Sequence, residues 1–185
     1  QDFIGRILRD IQRMTVMVDD LLELSRIESG QEVIDIHPVN LFRIANESIS
    51  YVIGEINDGM PEITLNVTEE IMVMGQEEKI SQVFVNLIQN ASRFTRQNGL
   101  ITITAKQYDN DIVEVSVSDT GMGIAPEHLA HVFERFYKVD RSRRDGGTGL
   151  GLSIVKHLVQ AQGGEVFVDS VEGEGSTFKF TLPVA

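Results

Sequence analysis

Asn86, Asn90 and Arg93 stand four and three residues apart, so a helix through them carries all three on one stripe. Ile80, Val83, Phe84, Leu87 and Ala91 fall on the neighbouring face and suit packing on a sheet. Asparagine is a weak helix former, and two beside a cation suggest a stripe with something to hold. A magnesium ion accepts neutral oxygen ligands and draws most of its shell from nucleotide phosphates and water. Asn90 could supply one such oxygen, and Arg93 could meet a phosphate. A solvated polar face would produce the same stripe, so taken alone it decides nothing.

Two further motifs narrow the chemistry. Asp119-Thr-Gly-Met-Gly follows a strand-like run, and a carboxylate there can accept a hydrogen bond from the exocyclic amine of adenine. Gly121 and Gly123 permit close backbone approach to a flat ring, although glycines after strands mostly make turns. Gly146-Gly-Thr-Gly-Leu-Gly-Leu-Ser then leads into a helix, whose free N–H groups attract phosphate. A flexible hinge would also favour those glycines. The spacing fits neither GxxxxGK[ST] nor GxGxxG, and Lys156 comes too late for the former. Between the glycine clusters, Arg135, Lys138, Arg141, Arg143 and Arg144 gather five of the 16 basic residues. Such a segment reads as a mobile lid whose cations face phosphates. The three motifs in this order describe a pocket for a purine nucleotide and its magnesium ion.

These residues need a scaffold, and 185 residues at 42% hydrophobic provide one domain with an appendage. The net charge of −12 argues against nucleic acid as a partner. Without cysteine there is no disulfide, thiolate nucleophile or cysteine zinc site. No run of about 18 apolar residues is present, so a membrane span is not expected. A chain opening on Gln1 with no basic-then-apolar leader reads as a fragment lacking a signal peptide.

Ile4, Ile7, Ile11, Met14, Val18, Leu21 and Ser25 form a heptad seam in the first helix, broadened by Leu8, Met17, Leu22 and Leu24. At about 1.5 Å per residue this helix is roughly 40 Å long, which favours bundling with outside helices over packing on the globular part. Ser29-Gly30 ends it. Val33, Ile34 and Ile36 suggest a short strand, His37-Pro38 a linker, and Asn40 a cap for a helix reaching about Glu55. Residues 63–67 and 71–74 read as a hairpin-like pair of strands. Residues 76–96 and 149–162 read as helices, with a short one near 126–133. Strands are expected at 101–108 and 112–118, joined by a turn at 109–111, and at 165–169 and 177–183. The sum is an α+β fold, a mixed sheet covered by helices on one face.

In their order the motifs resemble the ATP-binding domain of bacterial sensor histidine kinases, in the superfamily shared with DNA gyrase and MutL. Asn86 to Asn90 with Arg93-Phe94 resembles the family's N box, Asp119 to Gly123 its first G box, and Phe133-Glu-Arg-Phe-Tyr its F box. Gly147 to Gly151 resembles the second G box, and Gly173-Glu-Gly-Ser-Thr177-Phe the last. The resemblance covers about residues 35–185, and it implies a catalytic domain over 31–185 with a Bergerat-type two-layer α/β sandwich. Residues 1–30 resemble the second helix of the dimerisation and phosphotransfer hairpin.

By that resemblance, Asn90 ligates magnesium with Asn86 in support, Asp119 bonds the adenine amine, and Phe94 flanks the base. Arg93 and Lys138 contact phosphates; Gly147, Thr148, Gly149, Leu150 and Gly151 line the triphosphate. Gly121, Gly123, Ile124, Tyr137 and Thr177 complete the nucleotide set. The family usually has Lys where Arg93 stands and often Arg where Lys138 stands, exchanging a fork for a point charge and the reverse. In hydrolysing relatives a Glu one turn before the metal Asn activates water, and here that place is Asn86, which cannot act as a base. That favours a kinase passing the γ-phosphoryl to a histidine on a separate helix, for relay to an Asp of a response regulator. The resemblance also implies a homodimer and the cytoplasmic portion of a membrane-anchored sensor. None of His37, His128, His131 and His157 lies in the family's acceptor context, so the chain is expected to bind ATP without phosphorylating itself. An ATP-sensing module without catalysis and a serine kinase of the anti-sigma type are the rival readings.

Overall fold

The computed structural model describes residues 2–28, 35–55, 60–108, 111–139 and 147–185. A five-stranded sheet runs in the order β2-β4-β5-β7-β6. Its strands are β2 (Glu62–Asn66), β4 (Leu100–Tyr108), β5 (Ile112–Asp119), β6 (Val166–Val171) and β7 (Gly175–Pro183). Neighbours pair antiparallel except β2, which lies parallel to β4 at the edge. That parallel pair needs a crossover, supplied by β3 (Met72–Gly75) and helix α3 (Glu77–Phe94).

Alternation along the strands builds the two layers. Val113, Val115 and Val117 of β5, Ile101 and Ile103 of β4, and Phe178, Phe180 and Leu182 of β7 are buried. Helices α2 (Leu41–Glu55), α3 and α5 (Gly151–Ala161) cover that face, while α4 (Pro126–Leu129) is a single short turn after β5. Phe84 of α3 meets Phe180 edge-on at 5.5 Å between ring centroids, the geometry aromatic quadrupoles prefer. The opposite face carries hydroxyls, with Thr104 and Ser116 at 2.6 Å and Ser118 and Thr177 at 3.0 Å. Helices on one face of a mixed sheet are what the strand and helix pattern predicts.

Two local expectations differ. The strand near residue 36 is instead β1 (His37–Asn40), so His37-Pro38 is strand rather than linker; Val33 and Ile34 lie outside the described residues. Pro38 is tolerated because β1 belongs to a separate two-stranded sheet, where it pairs antiparallel with β3. Nor do residues 63–67 and 71–74 pair as a hairpin. Buried Val73 of β3 sits opposite buried Val39 of β1, so β3 takes β1 as partner and leaves β2 to the large sheet. Alternation fixes the buried face of a strand but not its neighbour. Asn40 does cap α2, its Oδ1 accepting the Arg43 N–H at 2.8 Å while its Nδ2 donates to the Glu69 carbonyl at 2.7 Å.

Helix α1 (Asp2–Glu28) rests on α5. Leu24 is fully buried in the core and Met17 packs against it. The seam residues Ile7, Ile11, Met14, Val18 and Leu21 stay exposed. Ser29-Gly30 falls outside the described residues. No helix among them is long and apolar enough to cross a membrane.

Glycine is obligatory at the start of β7. Gly175 has φ 131°, and a Cβ there would stand 1.9 Å from the Asp119 carbonyl oxygen. Gly173 has φ 86° but open space around it. Gly175→Ala therefore adds overlap to strain and is expected to cost about 2–4 kcal/mol, a fall in melting temperature of roughly 5–15 °C. Gly173→Ala carries strain alone and is expected to cost about 1 kcal/mol. Equal melting temperatures for the two variants would contradict this packing.

Candidate nucleotide site

One cavity of about 330 Å³ opens between α3, the end of β5, the loop before α5 and helix α1. Residues of α3 form one side: Asn86, Gln89, Asn90, Arg93 and Phe94 all line it. Their shared stripe follows from helical spacing, because Val83, Phe84, Leu87 and Ala91 are buried on the sheet side. The start of α3 is tied to the end of α5, where Gln162 Oε1 accepts the Gln76 N–H at 2.9 Å.

Asp119 lies deep in the cavity, 8% exposed. Its Oδ1 accepts the Gly121 N–H at 2.8 Å, and the Ser176 backbone N–H bonds the carboxylate as well. Burial pushes its pKa above the ordinary carboxylate value, while the Gly121 and Ser176 N–H groups pull it back. The loop beyond is pinned on both sides. Met122 donates its N–H to the Phe94 carbonyl at 3.3 Å and accepts that of Gly173 at 2.7 Å. Ile124 donates its N–H to Ser170 Oγ at 2.8 Å. Gly123, at φ 67°, has the Val171 carbonyl where a Cβ would go. A carboxylate and a pinned, glycine-bearing loop can take a flat base edge-on.

Arg93 crosses from α3 to the glycine-rich loop. Its guanidinium occupies the space where a Cβ on Gly147 would stand, so a larger residue there would require Arg93 to shift. Gly149, at φ 79°, accepts the Phe136 N–H through its carbonyl at 2.9 Å. Thr148 Oγ1 accepts the Leu150 N–H and donates to Asp20 Oδ2 of α1, both at 3.2 Å. Asn86 donates through Nδ2 to the Gln82 carbonyl at 3.0 Å, and its Oδ1 faces Gly151. Tyr137, Lys138 and Val139 complete the wall before residue 140.

The cavity thus gathers Asn86, Asn90, Arg93, Phe94, Asp119, Gly123, Ile124, Tyr137, Lys138, Gly147, Thr148, Gly149 and Gly151. Gly121, Leu150 and Thr177 do not line it. The space beside Gly121 is filled by Asp119 Oδ1 and the Phe94 carbonyl, and Leu150 is wholly buried in the core. Strand alternation turns Thr177 to the opposite face, toward Ser118. Its neighbours Ser176 and Phe178 line the cavity instead. Sequence reasoning missed these two, although the alternation along β7 carried the signal. It also missed Val16 and Asp20 of α1, Gln89, Met122, Val132, Val139 and Leu152. Arg141, Arg143 and Arg144 lie outside the described residues.

Known proteins place this geometry. The family of histidine kinase-, DNA gyrase B- and HSP90-like ATPases matches residues 75–185. The sensor histidine kinase WalK of Bacillus subtilis is 35% identical over 181 residues, covering 94% of this chain. The chain spans 29% of WalK and less than half of the other first-matching curated relatives. Full-length ShkA in complex with AMPPNP superposes with a TM-score of 0.83 at 29% identity, over 100% of this chain and 39% of that one. The histidine kinase ThkA in complex with the response regulator TrrA gives 0.80 at 26% identity, over 100% of this chain and 51% of that one. The chain belongs to the histidine kinase-, DNA gyrase B- and HSP90-like ATPase family, and its ATP-binding domain is similar to that of sensor histidine kinases.

Proposed function

We propose that this chain holds Mg-ATP in the cavity and passes the γ-phosphoryl to a histidine on a separate helix, for relay to a response-regulator aspartate. The observation that carries this is one cavity lined both by Arg93, which meets Gly147, and by the buried carboxylate of Asp119. Asp119 accepts the adenine amine, and Phe94 and Ile124 flank the ring. Arg93 and Lys138 neutralise phosphate oxygens, with Gly147, Thr148, Gly149 and Gly151 along the triphosphate.

The donor set fits magnesium carried by the nucleotide. Among the described residues no three His, Cys, Asp or Glu side chains cluster to cage a metal, so the protein contributes little beyond the Asn90 oxygen. When bound, the ion offsets charge on the phosphates. The rest of the chemistry is positioning by this chain's own residues. Asn86 supplies an amide where hydrolysing relatives carry a carboxylate, so water has no base there and a delivered imidazole is the better nucleophile. The ThkA complex with a response regulator supports a receiver domain as the downstream partner. Residues 1–30 are assigned to the dimerisation and phosphotransfer hairpin of a homodimeric, membrane-anchored sensor, with this portion on the cytoplasmic side.

Calorimetric titration with Mg-ATP is expected to show one site per chain. Asp119→Ala loses a charge-assisted hydrogen bond of about 1.5–3 kcal/mol, so affinity should fall at least about ten-fold; unchanged affinity would sink the adenine assignment. Incubated alone with labelled ATP the chain should gain no acid-labile phosphate, whereas a hairpin fragment bearing the acceptor histidine should gain it.

Asp119 also sets a pH dependence. Its folded pKa is raised, so its favourable share of stability is full below the unfolded value of about 3.9 and is lost as pH rises through the folded pKa. Asp119→Asn, which cannot ionise, should therefore gain stability relative to wild type as pH rises from about 4 to 7. A difference in melting temperature that stays flat over this range would contradict the burial cost.

A further inference from the structure

Residues 128 to 137 step through short turns rather than one continuous helix. His131 donates its N–H to the His128 carbonyl at 2.9 Å, Glu134 to that of His131 at 2.8 Å, and Tyr137 to that of Glu134 at 3.4 Å. This three-residue rhythm brings His128, His131, Glu134 and Tyr137 to one edge. There the side chains interlock. His128 Nδ1 and the Tyr137 hydroxyl are 2.7 Å apart. The His131 ring lies 5.4 Å from the Tyr137 ring at 34°, and its Nδ1 is 2.8 Å from Glu134 Oε1. Tyr137 in turn lines the nucleotide cavity, next to Lys138.

The backbone at this point is strained, which explains why Tyr137 needs side-chain support. Phe136 has φ 61° and is the one non-glycine residue in the left-handed region among the described residues. Its N–H is held by the Gly149 carbonyl, which ties this segment to the glycine-rich loop. Phe136 itself is half exposed and gives the turn little packing. The direction of the Tyr137 ring therefore rests on the two histidines.

We propose that His128 is a positioning residue of the nucleotide site: through the Tyr137 hydroxyl it fixes the cavity wall from which the basic segment departs. Glu134 orients His131, His131 backs the tyrosine ring, and His128 holds its tip. None of these three lines the cavity, and their effect on the nucleotide passes through Tyr137. The inference rests on the ATP-binding reading above.

Mg-ATP affinity and nucleotide-free melting temperature are measured on the 185-residue chain for wild type, His128→Ala, Tyr137→Phe, the double variant and His128→Asn. Loss of one neutral hydrogen bond predicts roughly three- to ten-fold weaker binding in each of the first two variants. The double variant should be no weaker than either, because both remove the same bond. His128→Asn places an amide atom near the Nδ1 position and should recover most of the affinity. Melting temperatures should shift by no more than about 3 °C, within the range of one surface-accessible bond. Wild-type affinity in His128→Ala, additive losses in the double variant, or a loss of affinity that tracks melting temperature would each overturn the proposal. Failure of wild type itself to bind Mg-ATP would instead overturn the underlying reading.

Discussion

Along β5 the buried positions read Val113, Val115, Val117 and then Asp119. A carboxylate occupies the next place in an apolar row, on the face that packs under the helices. Burying it without partners would cost several kcal/mol. It is tolerated because two backbone N–H groups, from Gly121 and Ser176, converge on it. Much of the neighbourhood follows from that requirement. Gly121 has no room for a side chain because Asp119 Oδ1 is already there, and Gly175 must let the β7 backbone close on the Asp119 carbonyl. The loop that receives the base and the turn that starts β7 are both shaped around one buried acid.

The cations of the cavity answer the reverse problem. A chain with a net charge of −12 has to gather cations where phosphates lie. It does so by bringing Arg93 from a helix and Lys138 from a loop to one cavity. The glycine at 147 allows a guanidinium to press against main chain, a contact that the flexible point charge of lysine would not require. This geometry gives the exchange of Lys for Arg at position 93 a physical context.

Legibility in the sequence followed the range of the interaction. Helical periodicity placed Asn86, Asn90 and Arg93 on one stripe because spacing within a helix is fixed locally. The cap at Asn40 was readable for the same reason, whereas the carbonyls that crowd Gly123 and Gly175 come from Val171 and Asp119, far along the chain. The partner of β3 was not readable, because β1 (His-Pro-Val-Asn) carries little strand signal and only tertiary packing chooses it over β2. Thr177 illustrates a subtler loss: a motif names residues in a row, whereas a strand shows a pocket every second one, here Ser176 and Phe178. The role of α1 was divided, with Leu24 buried in the core and the heptad seam still open.

That division has a practical side. Val16 and Asp20 of α1 are part of the cavity wall, and Asp20 takes a hydrogen bond from Thr148. The vestibule of the site therefore does not belong to residues 31–185 alone. A shortened protein starting after the first helix would present a wider mouth, with one fewer negative charge beside the phosphate end and a threonine hydroxyl released to solvent. Ligand constants gathered on such a truncation would describe a differently shaped and differently charged doorway.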